Sequence, residues 1–214
     1  MPKEGVSGGA LPAITGAILA GGLSTRLGRD KATLPLGGKP LALWVADALA
    51  PVVSELWLVT NQPLAHSSLG LPLITDLVPW QGPLGGLATA LFYARTPWVL
   101  ATATDNPFLA PPLLAALVRR LTRDGPAAVV SRSSRGLEPF PGLYSVRLLP
   151  RLTHFIETDR RPRRFLEICR AQALPLEEVS RLDPEGLTFL NLNTPEDLAQ
   201  AEARLAGGEG GRGG

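Results

Sequence analysis

Apolar runs of strand length alternate with stretches of helical periodicity from residue 14 to residue 205, and most of the runs end at glycine, proline, asparagine or aspartate. The runs are Ile14 to Leu19, Glu55 to Thr60, Leu71 to Thr75, Trp98 to Thr102, Ala127 to Ser131, Phe140 to Ser145 and Leu187 to Leu190. Between them, Pro40 opens a helix with Leu41, Trp44, Val45, Ala48 and Leu49 on one face, and Pro111 and Pro112 open another around Leu113, Leu114 and Leu117. A helix follows Gly82 to Gly86, and Arg147 to Arg170 reads as one basic helical stretch with seven arginines. Thr194-Pro195-Glu196-Asp197 starts the last helix with a capping hydroxyl, a proline at the first helical position and an acidic first turn. This order predicts an α/β fold with a mostly parallel sheet, helices on both faces, and ligand at the carboxyl ends of the strands.

The length of 214 residues suits one domain. Residues 14–205 are expected to form it, between a flexible segment at 1–13 and a glycine-rich flexible tail at 206–214. A net charge of +2 gives no argument for nucleic acid or an anionic membrane, and no apolar run approaches the roughly 18 residues of a membrane span. With no leader pattern at the start and the single Cys169, the expectation is a cytoplasmic protein. Cys169 and only two histidines are too few for a Cys/His zinc site, and the apolar surroundings of Cys169 mark a core thiol.

The first run leads into Leu19-Ala20-Gly21-Gly22-Leu23-Ser24-Thr25-Arg26-Leu27-Gly28-Arg29-Asp30-Lys31. Gly21 and Gly22 allow backbone N–H groups to approach phosphate, while Arg26 and Lys31 supply positive charge. The spacing excludes a P-loop, because Lys31 precedes Ala32 and Lys39 precedes Pro40, and it excludes the dinucleotide G-x-G-x-x-G fingerprint. Only three lysines occur, Lys3, Lys31 and Lys39, so the position of Lys31 carries weight. Asn61, Asp76 and Asp105 leave later runs, and Asp105 at a strand end suits Mg²⁺ shared with substrate phosphates. Each of these residues also has a plain structural explanation as a turn or cap residue. Their order along the chain favours a nucleotide site.

The motifs at 19 to 31, Gly-Pro-Leu-Gly-Gly at 82 to 86, Asp-x-Pro-Phe at 105 to 108 and Asn-x-Asn-Thr-Pro-Glu-Asp-Leu at 191 to 198 resemble those of the MobA-like molybdenum cofactor guanylyltransferases. The resemblance spans about residues 14 to 204. It implies a single-domain, Rossmann-like three-layer fold of the nucleotide-diphospho-sugar transferase type. It also implies transfer of GMP from GTP to the phosphate of Mo-molybdopterin with Mg²⁺, and transient contact with molybdenum-insertion and molybdoenzyme maturation proteins.

By the family pattern, Leu19, Ala20, Gly21, Gly22, Lys31, Asn61, Asp76 and Asp105 bind the nucleotide, Asp105 holds the metal, and Lys31, Arg26 and Asp105 are the catalytic set. Arg160, Arg161, Asn191 and Asn193 are candidates for the acceptor, against a solvated helix face for the arginines and a structural pair for the asparagines. Leu27 stands where methionine is usual, Gly85 where alanine is common, and Glu138-Pro139 where some members have His-Pro. A cytidylyltransferase acting on the same pterin is the nearest alternative, followed by a sugar-phosphate nucleotidyltransferase and a non-catalytic delivery protein. Gly22 and the 82 to 86 motif tilt the choice to GTP.

Overall fold

A computed structural model of the chain describes residues 12–21, 30–79, 81–122 and 125–209. In chain order the elements are β1 (Ile14–Leu19), β2 (Pro35–Leu36), β3 (Lys39–Pro40), α1 (Leu41–Leu49), β4 (Glu55–Thr60), α2 (Pro63–His66), β5 (Leu73–Thr75), α3 (Gly82–Tyr93), β6 (Trp98–Ala103) and α4 (Pro111–Arg119). They continue with β7 (Ala128–Ser133), β8 (Gly136–Ser145), α5 (Leu149–Ile156), α6 (Pro162–Ile168), β9 (Gln172–Leu174), α7 (Leu176–Leu182) and α8 (Pro195–Glu209).

Seven strands form one sheet in the order β5, β4, β1, β6, β8, β7, β9, and β8 alone runs antiparallel to its neighbours. Every residue of β1 is buried, as expected of a central parallel strand with both faces covered. One face packs Val45 and Leu49 of α1 and Leu113, Leu114 and Leu117 of α4 against Ile18, Leu58 and Leu100. The other face packs Leu84, Leu87 and Leu91 of α3 with Leu152, Phe155 and Phe165 against Ala17, Val59, Val99 and Tyr144. Each fully buried leucine contributes about 1.5–3 kcal/mol from removal of its surface from water, so these two layers are the main source of stability. The result is the three-layer α/β fold.

Three expectations change. Leu187 to Leu190 is no strand: Leu187–Phe189 is a single 3-10 turn entered through Gly186 at φ +67°. The Asp183 carboxylate accepts from the Leu187 and Thr188 N–H groups at 3.2 and 2.9 Å, and so takes donors that a sheet ladder needs. The basic stretch divides into α5 and α6, because Pro162 holds Arg161 in extended backbone at ψ 110°. The last helix takes in residues 206–209, the first part of the stretch expected as a flexible tail. Each residue added to an existing helix gains a hydrogen bond without a new nucleus.

Candidate active site

The site starts from strand register. Leu19 at the end of β1 is opposite Val59 on one side and Ala103 on the other, so the segments leaving β1, β4 and β6 emerge flush. Ala20 N–H donates to the Val59 carbonyl at 2.8 Å, and Thr104 N–H donates to the Leu19 carbonyl at 3.3 Å. A cavity of about 190 Å³ opens over these ends, lined by Leu19, Ala20, Gly21, Asp30, Lys31, Ala32, Gly82, Pro83, Gly86, Ala103, Thr104 and Asp105. Gly22 and Arg26 lie outside the described residues.

On one side of the cavity the Lys31 ammonium donates to Asp105 Oδ2 at 2.8 Å and to Asn193 Oδ1 at 2.6 Å. The Lys31 and Asp105 side chains keep 18% and 16% of their exposure, so the pair is largely desolvated yet open to a ligand. Asn193 is held from behind. Its N–H and that of Thr194 both donate to Asp197 Oδ2 at 2.9 Å, while Asp197 N–H donates to Thr194 Oγ1 at 3.1 Å, a reciprocal cap at the start of α8. These bonds hold the Asp197 carboxyl below its ordinary value. Leu192 N–H also donates to the Asp105 carbonyl at 2.9 Å, which ties the two segments together.

Asn61 and Asp76 stand behind Gly21 and do not line the cavity itself. Both amide atoms of Asn61 and Oδ1 of Asp76 are buried and find no hydrogen-bond partner among the described residues. Such orphaned groups cost free energy unless a ligand completes them. Burial raises the Asp76 carboxyl above its ordinary value, with Thr89 and Asn61 pulling the other way. Gly21 separates these groups from the cavity: a Cβ there would stand 3.1 Å from Asp76 Oδ2 and 3.3 Å from Asn61 Nδ2.

Helix α3 presents its N-terminus to the same space. Gly82 at φ +69° makes the entry and Pro83 takes an early position whose N–H would be unpaired in any case. The remaining N–H groups and the helix dipole favour an anion. Gly85 lies within this helix, where a Cβ would come 2.4 Å from Gln81 Cβ, so the alanine common at this position would force Gln81 to shift.

The tentative acceptor residues separate. Asn191 Oδ1 accepts from Asn106 Nδ2 at 2.6 Å and so braces the segment behind Asp105. Arg161 is engaged by Asp159, whose carboxyl it holds well below the ordinary range. Arg160 borders a separate depression with Pro139, Arg163 and Arg164, which shares no lining residue with the cavity over the strand ends. Cys169 is buried, and burial raises its thiol.

Among the described residues no three His, Cys, Asp or Glu side chains group as a metal site. Asp105 is a single carboxylate beside the Asn193 amide oxygen, and Mg²⁺ is commonly held by one or two carboxylates with phosphates and water. The donor set therefore fits an ion that arrives with a triphosphate. Asp30 carries no signal in the sequence beyond its place before Lys31 in the motif at 19 to 31, and His66 carries none.

Three comparisons bear on this geometry. The family described as the MobA-like NTP transferase domain matches residues 16–177. The chain is 38% identical over 196 residues to the molybdenum cofactor guanylyltransferase of Cereibacter sphaeroides, covering 89% of this chain and 96% of that protein. It is 35% identical over 200 residues to the enzyme of that name from Yersinia pseudotuberculosis, covering 92% and 98%. Among solved structures, molybdopterin-guanine dinucleotide biosynthesis protein A from Archaeoglobus fulgidus aligns with a TM-score of 0.78 at 27% identity, over 90% of this chain and 99% of that one. With the Lys31, Asp105 and Asn193 cluster at the strand ends and this agreement along most of its length, the chain belongs to the MobA-like NTP transferase family.

Proposed function

We propose that the protein transfers GMP from GTP to the terminal phosphate of Mo-molybdopterin and releases pyrophosphate. The observation that carries the base choice is the pair of buried groups behind Gly21, on Asn61 and Asp76, that find no partner among the described residues. A carboxylate accepts from N1–H and N2–H of guanine while an amide N–H donates to O6, so the pair complements the guanine edge. Cytosine presents one donor and two acceptors on that edge and leaves a carboxylate largely unanswered.

An oxygen of the acceptor phosphate attacks the α-phosphorus in line, the bond from that phosphorus to the bridging oxygen breaks, and pyrophosphate leaves with the electron pair. Gly21 and Leu19 with Ala20 line the path of the nucleotide, Gly22 belongs to the same loop, and the α3 N-terminus faces the phosphates. Lys31 exchanges its contacts with Asp105 and Asn193 for phosphate oxygens, and Arg26 adds a second cation against the leaving group. Asp105 is the residue to hold Mg²⁺, which neutralises charge building on the phosphates when bound. A phosphate nucleophile is already ionised near neutrality, so alignment and charge supply the catalysis. Asn193, bonded to Lys31, faces the acceptor phosphate, and Arg160, at the separate depression with Pro139, is the cation offered to the rest of the acceptor. Work in the cytoplasm beside molybdenum-insertion and maturation proteins fits this product.

Incubation with Mg²⁺, the pterin acceptor and each labelled triphosphate tests the reading. Pyrophosphate release with GTP is expected. Release with CTP alone, or only with a sugar phosphate as acceptor, overturns it.

A further inference from the structure

His66 is fully buried at the end of α2 and takes no part in the reaction above. Its Nδ1 lies 2.8 Å from Thr60 Oγ1, the last residue of β4, and that oxygen accepts from Gln62 N–H at 2.9 Å. Its Nε2 lies 2.9 Å from Asp30 Oδ1, in contact with the carboxylate though not aligned for a straight N–H bond. Asp30 Oδ1 in turn accepts from Ala32 N–H at 2.8 Å. One tautomer serves all of these contacts: Thr60 O–H donates to Nδ1, and the proton on Nε2 faces the carboxylate.

The relay joins the two halves of the site. Thr60 precedes Asn61, and Asp30 precedes Lys31. Lys31 sits between Asp30 and Ala32, which are joined to each other by the side-chain bond, so its Cα follows the position of the Asp30 carboxylate. Two further bonds hold the turn, Ala42 N–H to the Ala32 carbonyl at 3.2 Å and Thr33 Oγ1 to the Asp30 carbonyl at 3.4 Å, but both act on backbone, and among the described side chains His66 is the one that reaches the Asp30 carboxylate.

We infer that His66 is a positioning residue: by holding Asp30 it sets the turn that points the Lys31 ammonium at the triphosphate, without touching the ligand. The inference rests on the reading of the cavity as a triphosphate site. A merely structural histidine would change the melting temperature and leave Lys31 where it is.

The test uses the full chain and two readouts. One is GTP binding by calorimetry, and the other is acetylation of Lys31 relative to Lys39, the reference lysine, by mass spectrometry. His66→Leu is expected to weaken GTP binding about tenfold and to raise the Lys31-to-Lys39 labelling ratio, because a buried contact to a carboxylate is lost. His66→Gln, whose amide N–H can still reach Asp30, is expected to stay within about threefold of the parent on both readouts.

A folded His66→Leu protein with parental affinity and labelling overturns the inference, as does a folded His66→Gln protein that behaves like His66→Leu. Where His66→Leu does not fold, Asp30→Ala cuts the relay at its other end and should raise the same labelling ratio; an unchanged ratio there also overturns it. If the parent protein binds no GTP, the triphosphate reading falls, and the labelling ratio still decides the role of His66.

Discussion

Lys31 donates to the Asn193 side-chain oxygen at 2.6 Å although 162 positions separate the two residues. The segment after the first strand and the segment leading into the last helix therefore meet at one ammonium group, with Asp105 as its third member. Because the three share one cation, their effects on triphosphate binding should be non-additive. Lys31→Ala is expected to weaken GTP binding and turnover by about ten- to a hundredfold each, and Asn193→Ala by less. The double variant should fall short of the product of the two, and a double-mutant cycle on GTP affinity measures the difference.

Asp105→Ala should lower kcat at least about a hundredfold while the melting temperature changes little. The side chain contributes no core packing, and the bond from Leu192 goes to the Asp105 backbone carbonyl, which the substitution keeps. Near-normal kcat at saturating Mg²⁺ would remove Asp105 from the metal site. Steady-state pyrophosphate release over a range of Mg²⁺ concentrations gives the answer.

Gly21→Ala is a steric probe of the base side. Its Cβ would enter within 3.1 Å of Asp76 Oδ2 and 3.3 Å of Asn61 Nδ2, so both polar groups must give way by a few tenths of an ångström. GTP affinity is expected to fall about tenfold with little change in kcat once the site is filled. Equal affinity for the two proteins would place the base elsewhere.

Strand ends make much of the candidate site legible in the sequence. Asn61, Asp76 and Asp105 each follow an apolar run at short range, whereas Lys31 lies twelve positions beyond Leu19, and the register of β1, β4, β5 and β6 brings the ends of those runs together. The unbroken apolar character of β1 and β6 marks them as strands covered on both faces. Leu187 to Leu190 misleads for a physical reason, since its apolar pattern is that of a strand while Asp183 captures its N–H groups. Strand β9 has three residues, of which only Leu174 is fully buried, too short a run to give a period. His66 was silent because its role depends on Thr60 and Asp30, which reach it only in the folded chain.

Asp76 gives the pH dependence a sign. Burial raises its carboxyl, so the folded protein binds that proton more tightly than the unfolded chain does. Its contribution to stability is then fully present in acid, below the ordinary carboxylate value, and is lost as pH rises through the raised value. Asp76→Asn should melt higher than the parent near neutral pH, with the gap closing as pH falls below the ordinary carboxylate range, while its affinity for GTP drops. Calorimetric scans over that range read the first effect and titration with GTP the second.

The Cys169 thiol lies 8% exposed beside Phe165 and Leu166, and burial raises it further from the thiolate. Reaction with a disulfide reagent at neutral pH should be slow in the folded protein and rapid once it is unfolded. Fast reaction in the native state would show that this layer opens readily.

The register of the central strands also turns the sheet into a ruler. Asn61 leaves β4 and Asp105 leaves β6, with β1 between them, so the two side chains stand over strands two spacings apart, about 10 Å. A molecule that answers both at once must reach across that interval. Free pyrophosphate is too short to do so, whereas a nucleoside triphosphate is long enough, so under the proposed reaction the strand spacing favours the whole triphosphate over its leaving group.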